Sequence, residues 1–336
     1  MSDYENIYNR LCFIIKERRE GVNQLAVYTC TLNLAIDLFI ETDQLNPFVV
    51  NRTNQDDIQA NGKGVNVSMI LKMLGIESTA MGIKAGFTGQ YIEDFLKERS
   101  IKTDFLEVPG MTRINVFTQV KKEKAEYKLV NKGPELTKNQ VMQFLKKIEN
   151  LKMGDYLCVS GSLPQGVSPA VLVEISRICQ KNKVFLIIDS SYYEILDCLP
   201  YQPFLLKPNE EELRIWFQTE RNTKEAYIFY GKELLKQGAQ NVLISLGSEG
   251  ALFLDKEQVL FGNSPKGIVV NTACAGDSLL GAFLAGWLKQ KTIQESLKEG
   301  LAAGSSTAFR KGLTDFSDVE ELMTQINVIQ EEGEKV

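Results

Sequence analysis

An α/β fold is expected for this 336-residue chain: a mostly parallel central sheet with helices on both faces, and a small second sheet beside it. Three observations predict it. From Thr137 onward, strand-like and helix-like segments alternate regularly. The strand candidates there, such as YLCVS (156–160), VFLIID (184–189) and NVLISLG (241–247), are near-continuous apolar runs, as strands covered on both faces require. Residues 103–131 break that rhythm with short segments joined by Gly and Lys/Glu turns.

Residues Tyr4 to Glu20 space Ile7, Leu11, Ile14 and Ile15 at helical intervals among charged residues, and Gly21 ends the run. Residues 1–24 therefore read as an amphipathic helical extension ahead of a domain over 25–330. The domain opens with a strand from Ala26 to Leu32. Helices follow over Val65–Leu74, closed by Gly75, and Gly89–Lys97. DFLEV (104–108), RINVFTQV (113–120) and AEYKLV (125–130) read as strands. With the segment Leu38–Asn51 they are expected to form the small sheet, its strands falling within 38–58 and 103–131. Helix 137–149 precedes strand 156–160, and helix 168–182 precedes strand 184–189. A short strand FLLK (204–207) leads to helix 210–217. Helix 223–237, strand 241–247, a hairpin over 250–262 and two small-residue-rich helices over 276–290 and 293–309 complete the pattern. In such sheets ligands sit beyond the carboxyl ends of strands, and nearly every Gly/Ser/Asn-rich loop here follows a strand.

Composition narrows the chemistry. With 44% hydrophobic and 24% charged residues the chain can bury one large core, and disorder is not expected. A net charge of −5 gives no global attraction for nucleic acid or anionic membranes. An anionic ligand must then be held by a local cluster of cations and backbone amides. No apolar run is long enough to span a bilayer, and MSDYENIYNR resembles no signal peptide, so a cytoplasmic location is expected. Cys12, Cys30, Cys158, Cys179, Cys198 and Cys274 form no CxxC pair and read as reduced, mostly buried thiols. There is no histidine, which removes Ser-His and Cys-His nucleophiles, His-ligated zinc and His bases, and leaves proton transfer mainly to a carboxylate.

Two motifs carry chemistry. In Asn271-Thr-Ala-Cys-Ala-Gly-Asp277-Ser-Leu-Leu-Gly-Ala-Phe-Leu-Ala-Gly286 a loop of small residues reaches an acid as an apolar helix begins. The amides of Ala275, Gly276 and Asp277 would lie at a helix N-terminus, where free N–H groups and the helix dipole favour anions. An acid in that turn can take the proton of a hydroxyl attacking a bound phosphoryl group. Taken alone, the same acid reads as a helix N-cap. In Asn61-Gly-Lys63-Gly-Val-Asn66-Val-Ser, glycines let a ligand approach the backbone and a lysine can meet a phosphate, without forming a GxxxxGK[ST] loop. A GxGxxG fingerprint is absent from the first strand–helix turn, which argues against a nicotinamide oxidoreductase.

In this order and at this separation, the two motifs resemble the signatures of the PfkB or ribokinase-like carbohydrate kinases. The landmarks between them match as well: TLNLAID ending at Asp37, Asn51-Arg52, GFTG ending at Gly89, Thr112-Arg113-Ile-Asn, Ser160-Gly-Ser162-Leu-Pro, Lys207-Pro-Asn-Glu-Glu-Glu212 and Ser245-Leu-Gly-Ser-Glu-Gly250. The likeness runs from about Tyr28 to about Gly312 and is strongest to the fructose-1-phosphate kinase and tagatose-6-phosphate kinase branch. It implies a three-layer α/β/α core with a small β-sheet lid, and ATP with Mg2+ as cofactors.

It also implies roles. Asp277 would be the catalytic base beside the anion-binding amides of Gly276 and Ala275. Asp37, Gly62, Lys63, Gly64 and Asn66 would line the sugar site. Arg52 and Arg113 would reach the substrate's phosphate, bordered by Ser160 or Ser162. Lys207, Asn209 and Glu212 would organise Mg2+ and the ATP phosphates, with Glu212 acting on the metal indirectly. Ser245, Gly247 and Gly250 would line the nucleotide pocket. The implied reaction is phosphorylation of fructose 1-phosphate to fructose 1,6-bisphosphate. Tagatose-6-phosphate kinase and a catalytically weak sugar-phosphate-binding regulator stand as alternatives. The lid is a candidate homodimer contact, since an exposed sheet invites pairing. Three positions depart from the family pattern: Asn61 and Cys274 stand where it has glycines, and Leu34 where it has proline.

Overall fold

The computed structural model describes residues 25–331; the helix expected over 1–24 lies outside the described residues. The chain runs β1 (Val27–Thr31), β2 (Ala35–Thr42), β3 (Gln55–Asn61), α1 (Lys63–Met73), β4 (Thr79–Ala85), α2 (Gly86–Glu98), β5 (Lys102–Val108), β6 (Arg113–Val120) and β7 (Ala125–Leu129). It continues through α3 (Lys138–Glu149), β8 (Tyr156–Ser160), α4 (Ala170–Asn182), β9 (Phe185–Asp189), a 3-10 helix (Tyr193–Tyr201), β10 (Leu205–Leu206), α5 (Glu210–Trp216) and α6 (Lys224–Gln237). Then follow β11 (Val242–Ser245), β12 (Gly250–Leu254), β13 (Val259–Asn263), α7 (Ala275–Leu288), α8 (Ile293–Ala308), α9 (Val319–Thr324) and β14 (Val328–Gln330).

Ten strands form the main sheet in the order β14-β13-β12-β11-β10-β9-β8-β1-β4-β5. From β11 to β5 every neighbouring pair is parallel, and β12, β13 and β14 extend the other side antiparallel. Side chains of a strand alternate between faces, and the core divides accordingly. Leu157, Val159, Leu186, Ile188, Val242 and Ile244 pack on one face with α3, α4 and α6. Their neighbours Tyr156, Cys158, Ile187 and Leu243 pack on the other, with α1, α7, α8 and α9. Helices α7 and α8 approach closely because small residues face the contact: a Cβ on Gly304 would sit 3.0 Å from the Ala275 carbonyl oxygen. This packing fixes the N-terminus of α7 over the sheet.

The small sheet has the order β3-β2-β6-β7, with β2 and β6 parallel. Two readings of the sequence need correction. Residues 104–108, expected in the small sheet, belong to β5 and pair parallel with β4 at the edge of the main sheet. Strand β4 itself (TAMGIKA) is buried on both faces and has no alternation to betray it. Within Leu38–Asn51 only the start is strand; β2 ends at Thr42, the rest is an exposed loop, and its partner is β3.

Candidate active site

The turn from β3 into α1 is shaped by two glycines pressed against β1. Gly62 has φ 150°, and a Cβ there would lie 2.8 Å from Thr31 Cγ2; one on Gly64 would lie 2.7 Å from Thr31 Oγ1. These glycines therefore let the turn dock closely on the sheet. Asn61 closes β3 without a positive φ, so the family's glycine is not needed there for backbone conformation. The docked turn brings Asn61, Lys63 and Asn66 to the carboxyl end of β1.

The N-terminus of α7 meets the same place. Its N-cap is Cys274, in a left-handed conformation (φ 63°) and with no capping side-chain bond. Asp277 is therefore not the cap. Its buried carboxylate faces inward, where Oδ2 accepts from Asn66 Nδ2 at 2.8 Å. The three amides expected to form an anion site are not equivalent. The Asp277 N–H is bonded to the Cys274 carbonyl at 3.1 Å and the Ala275 N–H reaches Thr272 O at 3.4 Å. Among the described residues only the Gly276 amide of the three has no acceptor. The Lys207 ammonium lies over it, 3.4 Å from where a Gly276 Cβ would be.

Asp189, at the carboxyl end of β9, organises the cations. Its Oδ1 receives both Lys63 Nζ and Lys207 Nζ at 3.2 Å, while its buried Oδ2 has no hydrogen-bond partner among the described residues. Asp189 is wholly buried, and burial alone would raise its pKa, but Lys207 and Lys63 hold it below the ordinary carboxylate range. Asp277 is pushed the other way, up to about 6. Burial is the main cause and the Asp189 charge adds to it, while Lys63, the Asn66 amide and Lys207 offset part. Burial depresses the Lys63 pKa, yet Asp189, Asp277 and Glu212 outweigh that and raise it. Lys63 thus stays charged between three acids.

On the small-sheet side, Asp37 in β2 is buried. Its Oδ1 accepts from Asn115 Nδ2 at 2.8 Å and its Oδ2 from Asn61 Nδ2. Burial raises its pKa, opposed by these amides and by Arg113. Arg113 Nη2 donates to Asn33 O at 3.2 Å and Ser162 Oγ at 3.1 Å, Nη1 donates to Asn131 O at 3.2 Å, and Nε is buried with no partner among the described residues. Ser160 ends β8 in register with Asp189, and its hydroxyl lies 3.4 Å from Cys158 Sγ. Arg52, by contrast, sits exposed in the loop after β2, and none of its side-chain atoms bonds to any of these residues.

At the other flank Asn209 and Glu212 cap α5 reciprocally. Asn209 Oδ1 accepts the Glu212 N–H at 2.8 Å, and Glu212 Oε2 accepts the Asn209 N–H at 2.9 Å. Ser245 bridges to Asn209, Gly247 faces Glu210 Oε2, and Gly250 starts β12. The acidic turn therefore serves the helix dipole and also reaches the cluster through Glu212's field on Lys63.

Sequence reasoning missed Asp189, Asn33 and Asn115. The one available signal for Asp189 was an acid closing an otherwise apolar buried strand. Asn33 and Asn115 lay inside quoted motifs, TLNLAID and TRIN, without being given roles.

Residues 26–320 match the model of the pfkB family carbohydrate kinases. A D-tagatose-1-phosphate kinase of Bacillus licheniformis is 47% identical over 90% of this chain and 99% of its own length. A 1-phosphofructokinase of Bacillus subtilis is 36% identical over 90% of this chain and 99% of its own length. The crystal structure of a phosphofructokinase, so far only assigned as such, from Staphylococcus aureus superposes with a TM-score of 0.82 at 35% identity, covering 92% of this chain and 100% of that one. The chain belongs to the pfkB family of carbohydrate kinases, and is a kinase of ketose phosphates.

Proposed function

We propose that the chain transfers the γ-phosphoryl group of ATP to a ketohexose 1-phosphate, with Asp277 as the base. The observation that carries this reading is a buried carboxylate raised to about 6, next to the Lys63 and Lys207 cations and the free Gly276 amide. A base near the working pH can take the hydroxyl proton, and the positive groups can stabilise charge on the transferred phosphoryl group. The family landmarks alone pointed to fructose 1-phosphate. The 47% identical relative is a tagatose-1-phosphate kinase, so D-tagatose 1-phosphate is the first substrate to test and fructose 1-phosphate the second. The test is a panel of both 1-phosphates, tagatose 6-phosphate, fructose 6-phosphate and the free sugars with Mg2+-ATP, reading ADP release. Highest kcat/KM on a 1-phosphate is expected. Preference for a 6-phosphate or a free sugar overturns the substrate, and no turnover of any overturns the kinase reading in favour of a sugar-phosphate-binding regulator.

In this reading Asp37 and Asn66 hold sugar hydroxyls beside the Gly62–Gly64 turn. Arg113 and Ser162 face the substrate's phosphate, the guanidinium being held in place by the Asn33 and Asn131 carbonyls and the Ser162 hydroxyl. Arg113→Ala is expected to raise KM for the 1-phosphate about tenfold or more, because a hydrogen bond to a charged group contributes about 1.5–3 kcal/mol. KM for ATP should hold, and Arg52→Ala should shift KM less. Equal KM values for phosphorylated and free sugar in the wild type would sink this assignment.

The ATP phosphates suit the Lys207 and Gly276 side. The described residues hold no group of three or more His, Cys, Asp or Glu arranged for a metal ion. A magnesium ion carried mainly on phosphate oxygens and water fits such a donor set, with Glu212 and the unpartnered Asp189 Oδ2 as the carboxylate oxygens nearby. When bound, Mg2+ would neutralise phosphate charge. Glu212→Gln keeps an oxygen to accept the Asn209 N–H but removes the charge, so α5 should stay capped. A weaker response to Mg2+ and lower turnover are expected, and an unchanged Mg2+ titration would leave Glu212 as a helix cap only. The exposed Ile58 and Leu129 of the small sheet make it the proposed face for pairing with a second copy, with light scattering as the check.

A further inference from the structure

The two side chains that stand in place of family glycines meet in the fold. Asn61 Nδ2 lies 3.9 Å from Cys274 Sγ, and Asn66 Nδ2 lies 3.2 Å from the same sulfur. The Asn61 amide is engaged at both ends. Its Oδ1 accepts the Gly62 N–H at 2.6 Å and Asn66 Nδ2 at 2.8 Å, and its Nδ2 donates to Asp37 Oδ2. Asn66 spends a hydrogen on Asp277 Oδ2 at 2.8 Å. The result is a chain of carboxylate, amide, amide and carboxylate: Asp37, Asn61, Asn66, Asp277. Its polarity is set. A backbone N–H can only donate, so the Asn61 oxygen must face Gly62 and its NH2 must face Asp37.

We propose that Asn61 is a positioning residue that ties the sugar-binding carboxylate of Asp37 to the base Asp277, so that the substrate hydroxyl held at one is registered against the hydroxyl presented to the other. This rests on the kinase reading above. Asn115 and Asn61 each occupy one lone pair of a different Asp37 oxygen, leaving one on each for substrate. A glycine at position 61 has no group that can make the link. The backbone does not explain the asparagine either, because its φ is not positive. Asn61 is therefore present for its amide.

A double-mutant cycle tests this with the full chain: Asn61→Ala, Asp37→Ala and both together. The readouts are kcat and KM for the ketohexose 1-phosphate and for ATP, with the unfolding midpoint of each variant. Asn61→Ala is expected to lower sugar kcat/KM about tenfold, the scale of one charge-assisted hydrogen bond, with KM for ATP unchanged. In the Asp37→Ala background the same change should cost less than about threefold, because the group it positions is gone. The same fold-loss in both backgrounds overturns the coupling, as does an equal loss in KM for ATP. Should Asn61→Ala fail to fold, Asn61→Gly, the family's own residue, carries the cycle with the same expectations. A wild type inert toward every ketose phosphate overturns the kinase reading before any variant is read, and the inference with it.

Discussion

Asp277→Asn is expected to lower kcat by about 10²–10⁴-fold, the usual contribution of a general base, with the fold intact. The substitution is close to isosteric, and its side-chain oxygen can still accept from Asn66 Nδ2, which holds the native carboxylate at 2.8 Å. What it loses is the ability to take a proton. The chain has no histidine to substitute for it, and the neighbouring Asp189 is committed to two lysines through one oxygen and buried at the other. KM for ATP and for sugar should therefore change little. The pH dependence has a definite sign. A base works only when deprotonated, and burial raises the Asp277 pKa to about 6. Wild-type kcat/KM should rise with pH through about 6 and level off above it, and activity should fall as pH drops below it. In the variant that acidic limb should vanish from the residual rate. Near-wild-type kcat in Asp277→Asn rejects the base assignment. A limb that persists in the variant assigns the titration to another acid, with Asp37 the first to examine because burial raises it too.

Much of this arrangement is legible in the sequence, for identifiable reasons. The strands on either side of β9 are continuous apolar runs and their helices carry a 3.6-residue stripe, so the alternating half declares itself. Strand β4 does not, because a strand buried on both faces and interrupted by Gly82 shows neither alternation nor a long apolar run. Missing it moved residues 104–108 into the wrong sheet. The motif residues Lys63, Asn66 and Asp277 converge as expected because the glycine turn docks on Thr31 and α7 is locked against α8. Other contacts have no local signature. Asn61 and Cys274 are 213 residues apart in the chain, and nothing in the spacing shows that they touch. Arg52 sat in a matching motif, yet its loop leaves it in solvent.

Asp189→Asn is expected to destabilise the fold by about 3–5 kcal/mol, the range found when one partner of a buried ion pair is removed. Asp189 is 0% exposed and binds two ammonium groups at 3.2 Å through one oxygen. The two lysines will not respond alike. The Lys63 side chain is 41% exposed and can turn toward water, whereas that of Lys207 is 4% exposed and cannot. The cost therefore falls mainly on Lys207, left charged beside a neutral amide. Linkage sets the pH window. The folded pKa of Asp189 lies below its unfolded value near 3.9, so its contribution is fully present above that value and is lost as pH falls through the lower folded one. The gap in urea unfolding free energy between wild type and variant should be complete at pH 7 and close toward strong acid. Activity carries a second signature. Asp189 is one of the charges that raise Asp277, and without it Lys63 and Lys207 have one carboxylate fewer to share, so the acidic limb of kcat/KM should move below about 6. A stability loss under about 1 kcal/mol would mean that both ammonium groups are hydrated in the native state. A limb that stays in place would mean that Asp277 is tuned by burial alone.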